Sequence, residues 1–266
     1  MTDSDRQVSD RRYPPLIKND PDGPSRYFPF VSRSFVPSLF TVMNMVCGYI
    51  AIIMAGEGSF AAACWFIIFA AFFDTIDGFV ARITNGISNF GIELDSLSDL
   101  VSFGAAPAYL VYCYALQGMD GYTGLFLSAL VMIGSGLRLA RFNITLIGYS
   151  KESFSGLPSP AQALTLAGFV LWMHAESIFS TESVQTVLAW LSVVLAVLMV
   201  SKVNYDALPK PTFEAFKRQP VQFSLYLAAI FCVLLFQAKA FFLFMLLYIL
   251  LGVIRSLGLW IRQWQT

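Results

Sequence analysis

The sequence predicts an all-α membrane protein, a polytopic helix bundle with a six-helix core and two further C-terminal helices. The 266 residues are 57% hydrophobic and 13% charged, whereas soluble domains are about half apolar and about a quarter charged. Several apolar runs approach the roughly 20 residues that a helix needs to cross a bilayer. Because lipid offers the backbone no hydrogen-bond partners, such runs form helices.

Eight stretches are candidate membrane spans, and the fifth and seventh are short. They are Val36–Ala55, Phe60–Arg82, Asp95–Leu116, Gly124–Asn143, Pro160–Ala175, Val184–Val203, Val221–Phe236 and Ala240–Leu259. No repeat of the kind found in transporters is evident. The polar stretch LPKPTFEAFKRQP separates the first six spans from the last two.

These features predict four regions. Residues 1–34 form a polar arm of mixed charge that lacks the apolar segment of a cleaved secretory signal. Residues 35–205 form the six-span core, 206–220 a connector, and 221–266 the C-terminal pair of spans with the tail.

Lys and Arg concentrate in alternate connections between the spans. The connections MAGEGSF, LQGMDGYTG and HAESIFSTES contain neither, whereas the arm, the intervening connections and the tail are basic. The positive-inside rule then predicts an even number of spans with both termini in the cytoplasm. The 17 basic and 17 acidic residues balance, so the overall charge gives no indication of a nucleic-acid partner.

Four aspartates stand out in the segment DTIDGFVARITNGISNFGIELDSLSD, since charged residues in membrane spans usually serve function. At 3.6 residues per turn, Asp74 and Asp77 share one face of the second helix. Asp95 and Asp99 align on the next helix. The connection Thr84–Phe90 allows the two helices to run antiparallel, so the four carboxylates converge on the cytoplasmic side.

Four converging carboxylates repel one another unless a positive charge lies among them. Oxygen ligands favour Mg²⁺, Mn²⁺ or Ca²⁺ over zinc. Gly78 and Ala81 leave their helix face low enough for a nucleotide diphosphate, and Arg82 follows as a phosphate contact. The alternative is a set of solvated carboxylates at helix ends.

The spacing Asp-x2-Asp-Gly-x2-Ala-Arg-x8-Gly-x3-Asp-x3-Asp, from Asp74 to Asp99, resembles the motif of the CDP-alcohol phosphatidyltransferase family at every fixed position. The likeness covers roughly residues 36–203. It implies that Asp74, Asp77 and Asp95 bind a divalent cation, Mg²⁺ or Mn²⁺, with Ca²⁺ as a substitute or inhibitor. It makes Asp99 the general base and a further metal contact, and it assigns CDP binding to Asp74, Gly78, Ala81 and Arg82.

Thr41 and Asn44 lie three residues apart at the start of the first span, on one helix face. They are candidates for hydrogen bonds to the cytidine or a phosphate, which the family resemblance supports. The alternative is a polar contact between helices.

Three further segments, LVSFGAAPA, GLRLARFN and FSGLPSPAQA, resemble the membrane-embedded bacterial phosphatidylserine synthases within that family. This likeness implies CDP-diacylglycerol and L-serine as substrates, a bacterial inner-membrane location among membrane lipids, and a homodimer. A guanidinium can clamp the acceptor's carboxylate or a phosphate, or it can anchor lipid headgroups. The acceptor-site candidates are Arg138, Arg141, Asn143, Lys151 and Ser153.

Other functions stay open at this point. The same enzyme class could use glycerol phosphate, inositol phosphate or choline as acceptor, or an archaeal ether lipid as donor. A cation transporter is a different class, but it would place its acids near the bilayer midplane, often within broken helices. The aspartates of this chain are expected near the cytoplasmic helix ends instead.

Overall fold

The computed structural model describes residues 35–84, 88–147, 154–176, 179–201, 203–205, 239–256 and 258. The chain divides into two units, Met1–Val31 and Ser32–Thr266, and the described residues belong to the second. The predicted arm, the connector and the span Val221–Phe236 lie outside the described residues.

The described residues are almost entirely helical, which confirms the predicted all-α membrane bundle. The helices are α1 (Phe35–Gly56), α2 (Phe60–Ile83), α3 (Asn89–Asp99), α4 (Ala106–Tyr114), α5 (Thr123–Ile147), α6 (Ser159–Glu176), α7 (Thr181–Val200) and α8 (Lys239–Ser256). A single 3₁₀ turn, Leu116–Gly118, follows α4. Two short strands, β1 (Phe154–Ser155) and β2 (Asn204–Tyr205), pair antiparallel.

Five of these helices are long and apolar enough to cross a bilayer, which makes the chain an integral membrane protein. They are α1, α2, α5, α7 and α8. Each begins and ends within a few residues of a span predicted from the sequence. The other two predicted spans within the described residues correspond to α3–α4 and to α6.

The third predicted span is not one regular helix. A π-helical turn, Leu100–Ala105, joins α3 to α4 immediately after Asp99. Wider i→i+5 turns of this kind are rare and occur frequently at functional sites. Ser102, Phe103 and Gly104 of this turn are buried, so the irregular backbone is enclosed by other helices, as a membrane interior requires.

Small residues allow the helices to pack closely around this turn. A Cβ atom on Gly48 of α1 would lie 2.6 Å from the Cα atom of Ser102. A Cβ atom on Gly134 of α5 would lie 3.3 Å from the Cα atom of Ala196 in α7. Contacts between small residues are the usual way in which membrane helices approach one another. The Gly48 contact places the π-helical turn against α1, and the Gly134 contact joins α5 to α7.

Helices α2 and α6 pack side by side and run antiparallel. The ring of Phe60, at the start of α2, lies 6.2 Å from the ring of His174, near the end of α6. The end of α2 that carries the aspartates therefore lies beside the start of α6.

Helix α8 packs on the core through aromatic side chains. Phe242 stacks on Trp172 of α6 with 5.8 Å between ring centroids. Tyr248 lies 6.0 Å from the buried ring of Tyr205 in β2. These contacts attach the C-terminal helix to α6 and to the short strand pair.

Candidate active site

Three aspartates from two helices meet at one point. One carboxylate oxygen from each of Asp74, Asp95 and Asp99 lies within 4.8 Å of the others. Asp74 comes from α2, and the other two come from α3, one turn apart, next to the π-helical turn. Three carboxylates at this spacing can hold a divalent cation, because hard cations prefer oxygen ligands.

Asp77 lies beside these three carboxylates, one turn after Asp74 on α2. It is buried, and its Oδ2 atom has no hydrogen-bond partner among the described residues. The same holds for Oδ1 of Asp95. Buried oxygens without donors retain the lone pairs that a cation would use, so the donor set fits a hard metal ion.

Helix α1 supports the carboxylates from one side. The side-chain amide of Asn44 donates to Asp99 Oδ1 at 3.4 Å. Ser102 of the π-helical turn donates to the backbone carbonyl of Asn44 at 2.9 Å, and Ser98 donates to that of Thr41 at 3.0 Å. These bonds fix the end of α3 against α1 and thereby position Asp99.

The two α1 residues predicted to contact the nucleotide therefore contact the aspartates. Thr41 donates to the carbonyl of Pro37 at 3.2 Å, and its hydroxyl also interacts with Asp77. The Oδ1 atom of Asn44 is buried without a partner among the described residues. Of the predicted nucleotide face, Gly78 and Ala81 are half-buried on α2, and the side chain of Arg82 lies outside the described residues.

Arg138 of α5 faces the aspartates from the opposite side. Its guanidinium is close enough to Asp99 and Asp74 to interact with both charges. Nη1 donates to the hydroxyl of Ser159, the first residue of α6, at 3.1 Å. Its Nε atom is buried and has no partner among the described residues, so this guanidinium retains a donor for a ligand.

Arg141, predicted for the same role as Arg138, is used differently. Its guanidinium donates to the backbone carbonyls of Val200 at 3.0 Å, Ser201 at 3.2 Å and Met199 at 3.5 Å. The last carbonyls of a helix have no partner within the helix. Arg141 therefore caps the C-terminal end of α7 and joins it to α5.

The other acceptor candidates differ in what the structure describes. Asn143 donates from Nδ2 to the hydroxyl of Ser96 at 3.0 Å, so it joins the end of α5 to the residue after Asp95. Lys151 and Ser153 lie outside the described residues.

Sequence reasoning missed three buried polar residues on the elements around the site: Ser102, Ser159 and Gln162. Each is a polar residue within an apolar stretch and is completely buried. A polar side chain in a predicted span is the signal that could have identified them. The same signal identified Thr41 and Asn44 as candidates but was not applied to these three residues.

Comparisons with known proteins agree with the resemblance seen in the motif. The family model "CDP-alcohol phosphatidyltransferase" matches residues 34–198. A CDP-diacylglycerol–serine O-phosphatidyltransferase of Helicobacter pylori is 36% identical over 226 residues, 85% of this chain and 92% of the relative. One of Bacillus subtilis is 34% identical over 182 residues, 68% of this chain and 95% of the relative.

An archaetidylserine synthase of Methanothermobacter thermautotrophicus is 38% identical over 172 residues, 64% of this chain and 69% of the relative. These relatives are transferases named for serine as acceptor, and the family model covers the described core from α1 into α7. The chain belongs to the CDP-alcohol phosphatidyltransferase family.

Proposed function

We propose that the protein is a metal-dependent CDP-diacylglycerol–serine O-phosphatidyltransferase. It would transfer the phosphatidyl group to the hydroxyl of L-serine and release CMP. The observation that carries this proposal is the convergence of three carboxylates, with the cationic side chain of Arg138 close enough to interact with Asp99 and Asp74. The names of the relatives support serine as the acceptor.

Asp74, Asp77 and Asp95 would hold Mg²⁺ or Mn²⁺, with Ca²⁺ as a substitute or inhibitor. The donor set supports this assignment, since Asp77 and Asp95 each have a buried oxygen without a partner among the described residues. When bound, the cation would supply positive charge that neutralises the pyrophosphate and the departing CMP. Asp99 also contributes an oxygen to the cluster.

Asp99 would act as the general base. Its carboxylate would accept the proton of the serine hydroxyl while the serine oxygen bonds to the phosphorus that carries diacylglycerol. The bond between that phosphorus and the oxygen bridging to CMP would break, and CMP would leave with the bonding electrons. Asn44 supports this role by holding Oδ1 of Asp99 in place.

Arg138 would bind the carboxylate of L-serine. A guanidinium binds carboxylates through paired, charge-assisted hydrogen bonds. Arg138 has a free buried donor among the described residues and interacts with the proposed base. Asn143, Lys151 and Ser153 remain proposed acceptor contacts, whereas the bonds of Arg141 favour a structural role for that residue.

The nucleotide would lie along the face of α2 that carries Gly78 and Ala81, with Arg82 on a phosphate. Thr41 and Asn44 border this face from α1 and already interact with Asp77 and Asp99. Small residues let a pyrophosphate approach the helix backbone. Asp74 would contribute to both the nucleotide site and the cation site.

The proposal includes the location of the site. Both termini and the carboxylates would face the cytoplasm of a bacterial cell, on the inner membrane, because the basic connections lie on that side. Residues 1–34 would be a cytosolic arm, 35–205 the catalytic core, 206–220 a connector and 221–266 a C-terminal pair of spans. We also propose a homodimer surrounded by membrane lipids.

An acceptor panel tests the proposed function. Purified protein is incubated with CDP-diacylglycerol, Mn²⁺ or Mg²⁺, and labelled serine, glycerol phosphate, inositol phosphate or choline, with EDTA as the metal-free control. We expect CMP release only with serine and a loss of release in EDTA. Release with another alcohol would change the acceptor, and full release in EDTA would contradict the metal. No release with any alcohol, together with metal flux into vesicles, would favour a transporter.

Because one relative is an archaetidylserine synthase, the lipid of the CDP-lipid donor should be tested as well as the acceptor. The same assay with an ether-linked CDP-lipid should give lower kcat/KM than CDP-diacylglycerol. A preference for the ether lipid would reassign the donor while leaving the serine acceptor intact.

A further inference from the structure

Gln162 carries a completely buried amide that has no hydrogen-bond partner in the described part of the chain. Its side chain has no exposed surface, and neither Oε1 nor Nε2 has a hydrogen-bond partner among the described residues. A buried polar group without a hydrogen bond destabilises the folded protein. A side chain kept in this state requires an explanation, and a ligand that completes its hydrogen bonds is one.

The helix geometry places Gln162 at the depth of the carboxylates. Because the rings of Phe60 and His174 are in contact, these two residues lie at about the same height along the antiparallel helices α2 and α6. Gln162 lies twelve residues before His174, and Phe72 lies twelve residues after Phe60. At about 1.5 Å per residue, Gln162 is level with Phe72 and within about 3 Å of the depth of Asp74.

A hydrogen-bonded side chain connects Gln162's helix to the acid cluster. Ser159 lies one turn before Gln162 on α6, so the two side chains share a helix face. Ser159 accepts from Arg138, and Arg138 interacts with Asp99 and Asp74. Gln162 thus lies one helical turn after Ser159, which accepts a hydrogen bond from Arg138, the residue proposed to bind the carboxylate of L-serine.

A second buried polar group without a partner in the described part of the chain lies on α5, near Arg138. Ser135, one turn before Arg138 on α5, is completely buried, and its Oγ has no partner among the described residues. A Cβ on Gly104 would lie 3.3 Å from its Cβ atom, so Ser135 packs on the π-helical turn. Free polar atoms therefore lie on α5 and on α6, on either side of the bond between Arg138 and Ser159.

We propose that Gln162 is a specificity-determining residue that recognises the amino-acid end of the acceptor. L-serine carries an ammonium group, which needs an acceptor, and a carboxylate, which needs donors. Oε1 of Gln162 would accept from the ammonium group, while Arg138 binds the carboxylate. An alcohol without an ammonium group would leave this oxygen unpaired, which is an effective way to reject a substrate. This inference rests on the proposed serine acceptor.

The test is a Gln162→Met variant, which keeps the length of the side chain and removes both polar atoms. We expect the KM for L-serine to rise about tenfold or more, which corresponds to losing one or two hydrogen bonds. The KM for CDP-diacylglycerol should stay within twofold. The matched control is Gln117→Met, since Gln117 is exposed and donates to the carbonyl of Cys113 at 3.0 Å.

Thermal unfolding of the ligand-free variant separates recognition from a structural role. Because Gln162 has no hydrogen bond to any described residue, Gln162→Met should unfold at the same temperature as the parent protein or higher. A lower unfolding temperature, failure to fold, or an unchanged KM for serine would each overturn the inference. A Gln162→Glu variant adds a check, since a carboxylate can still accept from the ammonium group and should retain a lower serine KM than the methionine variant.

These outcomes are distinct from a failure of the proposed function. If the parent protein releases CMP with serine and Gln162→Met has the same KM for L-serine, the inference about Gln162 is wrong and the proposed function stands. If the parent protein uses a different alcohol, the serine acceptor itself is wrong, and with it the recognition of an ammonium group.

Discussion

The two sides of the carboxylate cluster differ in their hydrogen bonds to Asp99 and its helix, although each side has a buried atom without a partner among the described residues, which on the α1 side is Oδ1 of Asn44. On the α1 side, Ser98 and Ser102 donate to backbone carbonyls, and the Asn44 amide donates to Asp99. On the α5–α6 side, polar atoms of Arg138 and Gln162 are buried without partners among the described residues.

This difference indicates a division of labour. The bonds that Ser98, Ser102 and Asn44 make on the α1 side hold Asp99 in a fixed geometry, which is what catalysis requires. A side that keeps free donors and acceptors can gain bonds only from a ligand. Changes on the α1 side should therefore reduce stability and turnover, and changes on the α5–α6 side should weaken substrate binding at little cost to stability.

The largest expected effect comes from Asp99, where the two sides meet. Asp99→Asn keeps the shape of the side chain and removes the proposed base, so we expect kcat to fall by about 10²–10⁴-fold. Binding of CDP-diacylglycerol, measured by the shift in unfolding temperature, should remain close to that of the parent protein. Asp120→Asn, at an exposed position, is the control. If CDP-diacylglycerol binding disappears as well, Asp99 serves chiefly as a metal ligand.

A smaller effect is expected at the contact between α1 and the π-helical turn. A Cβ atom on Gly48 would overlap Ser102, so Gly48→Ala should lower the free energy of unfolding by about 1–3 kcal/mol. It should also displace Asp99 and lower kcat more than it raises either KM. Unfolding in detergent and initial rates measure both quantities.

Gly136→Ala is the matched control for Gly48→Ala. A Cβ atom there would lie 3.6 Å from Leu100 Cδ1, an ordinary contact, and alanine favours the helix by up to about 1 kcal/mol over glycine. This variant should be as stable as the parent protein or more so. Equal behaviour of the two variants would mean that close packing at Gly48 has no special role in positioning Asp99.

The sequence was sufficient for the helical spans and for the aspartates. Long apolar runs form helices in lipid because the backbone must make its hydrogen bonds within the segment. The spacing of Asp74, Asp95 and Asp99 along two antiparallel helices brings their carboxylates together. The first result follows from the length of the apolar runs and the second from helical periodicity, and both are local properties of the chain.

The sequence was insufficient where contacts join distant segments. The roles of Arg138 and Arg141 could not be separated, because both are arginines one turn apart and differ only in their partners on α6 and α7. The π-helical turn after Asp99 could not be located from the sequence, because the residues that pack on it, Gly48 of α1 and Ser135 of α5, belong to distant segments.

The measurement that tests the division of labour most directly compares these two arginines. Arg138→Gln and Arg141→Gln are assayed for the KM of L-serine and for thermal unfolding. We predict that Arg138→Gln raises the serine KM about 10–100-fold with little change in unfolding temperature, since hydrogen bonds to charged groups contribute about 1.5–3 kcal/mol. Arg141→Gln should lower the unfolding temperature and leave the serine KM unchanged. The opposite pattern, with the serine KM depending on Arg141 and stability on Arg138, would contradict the account.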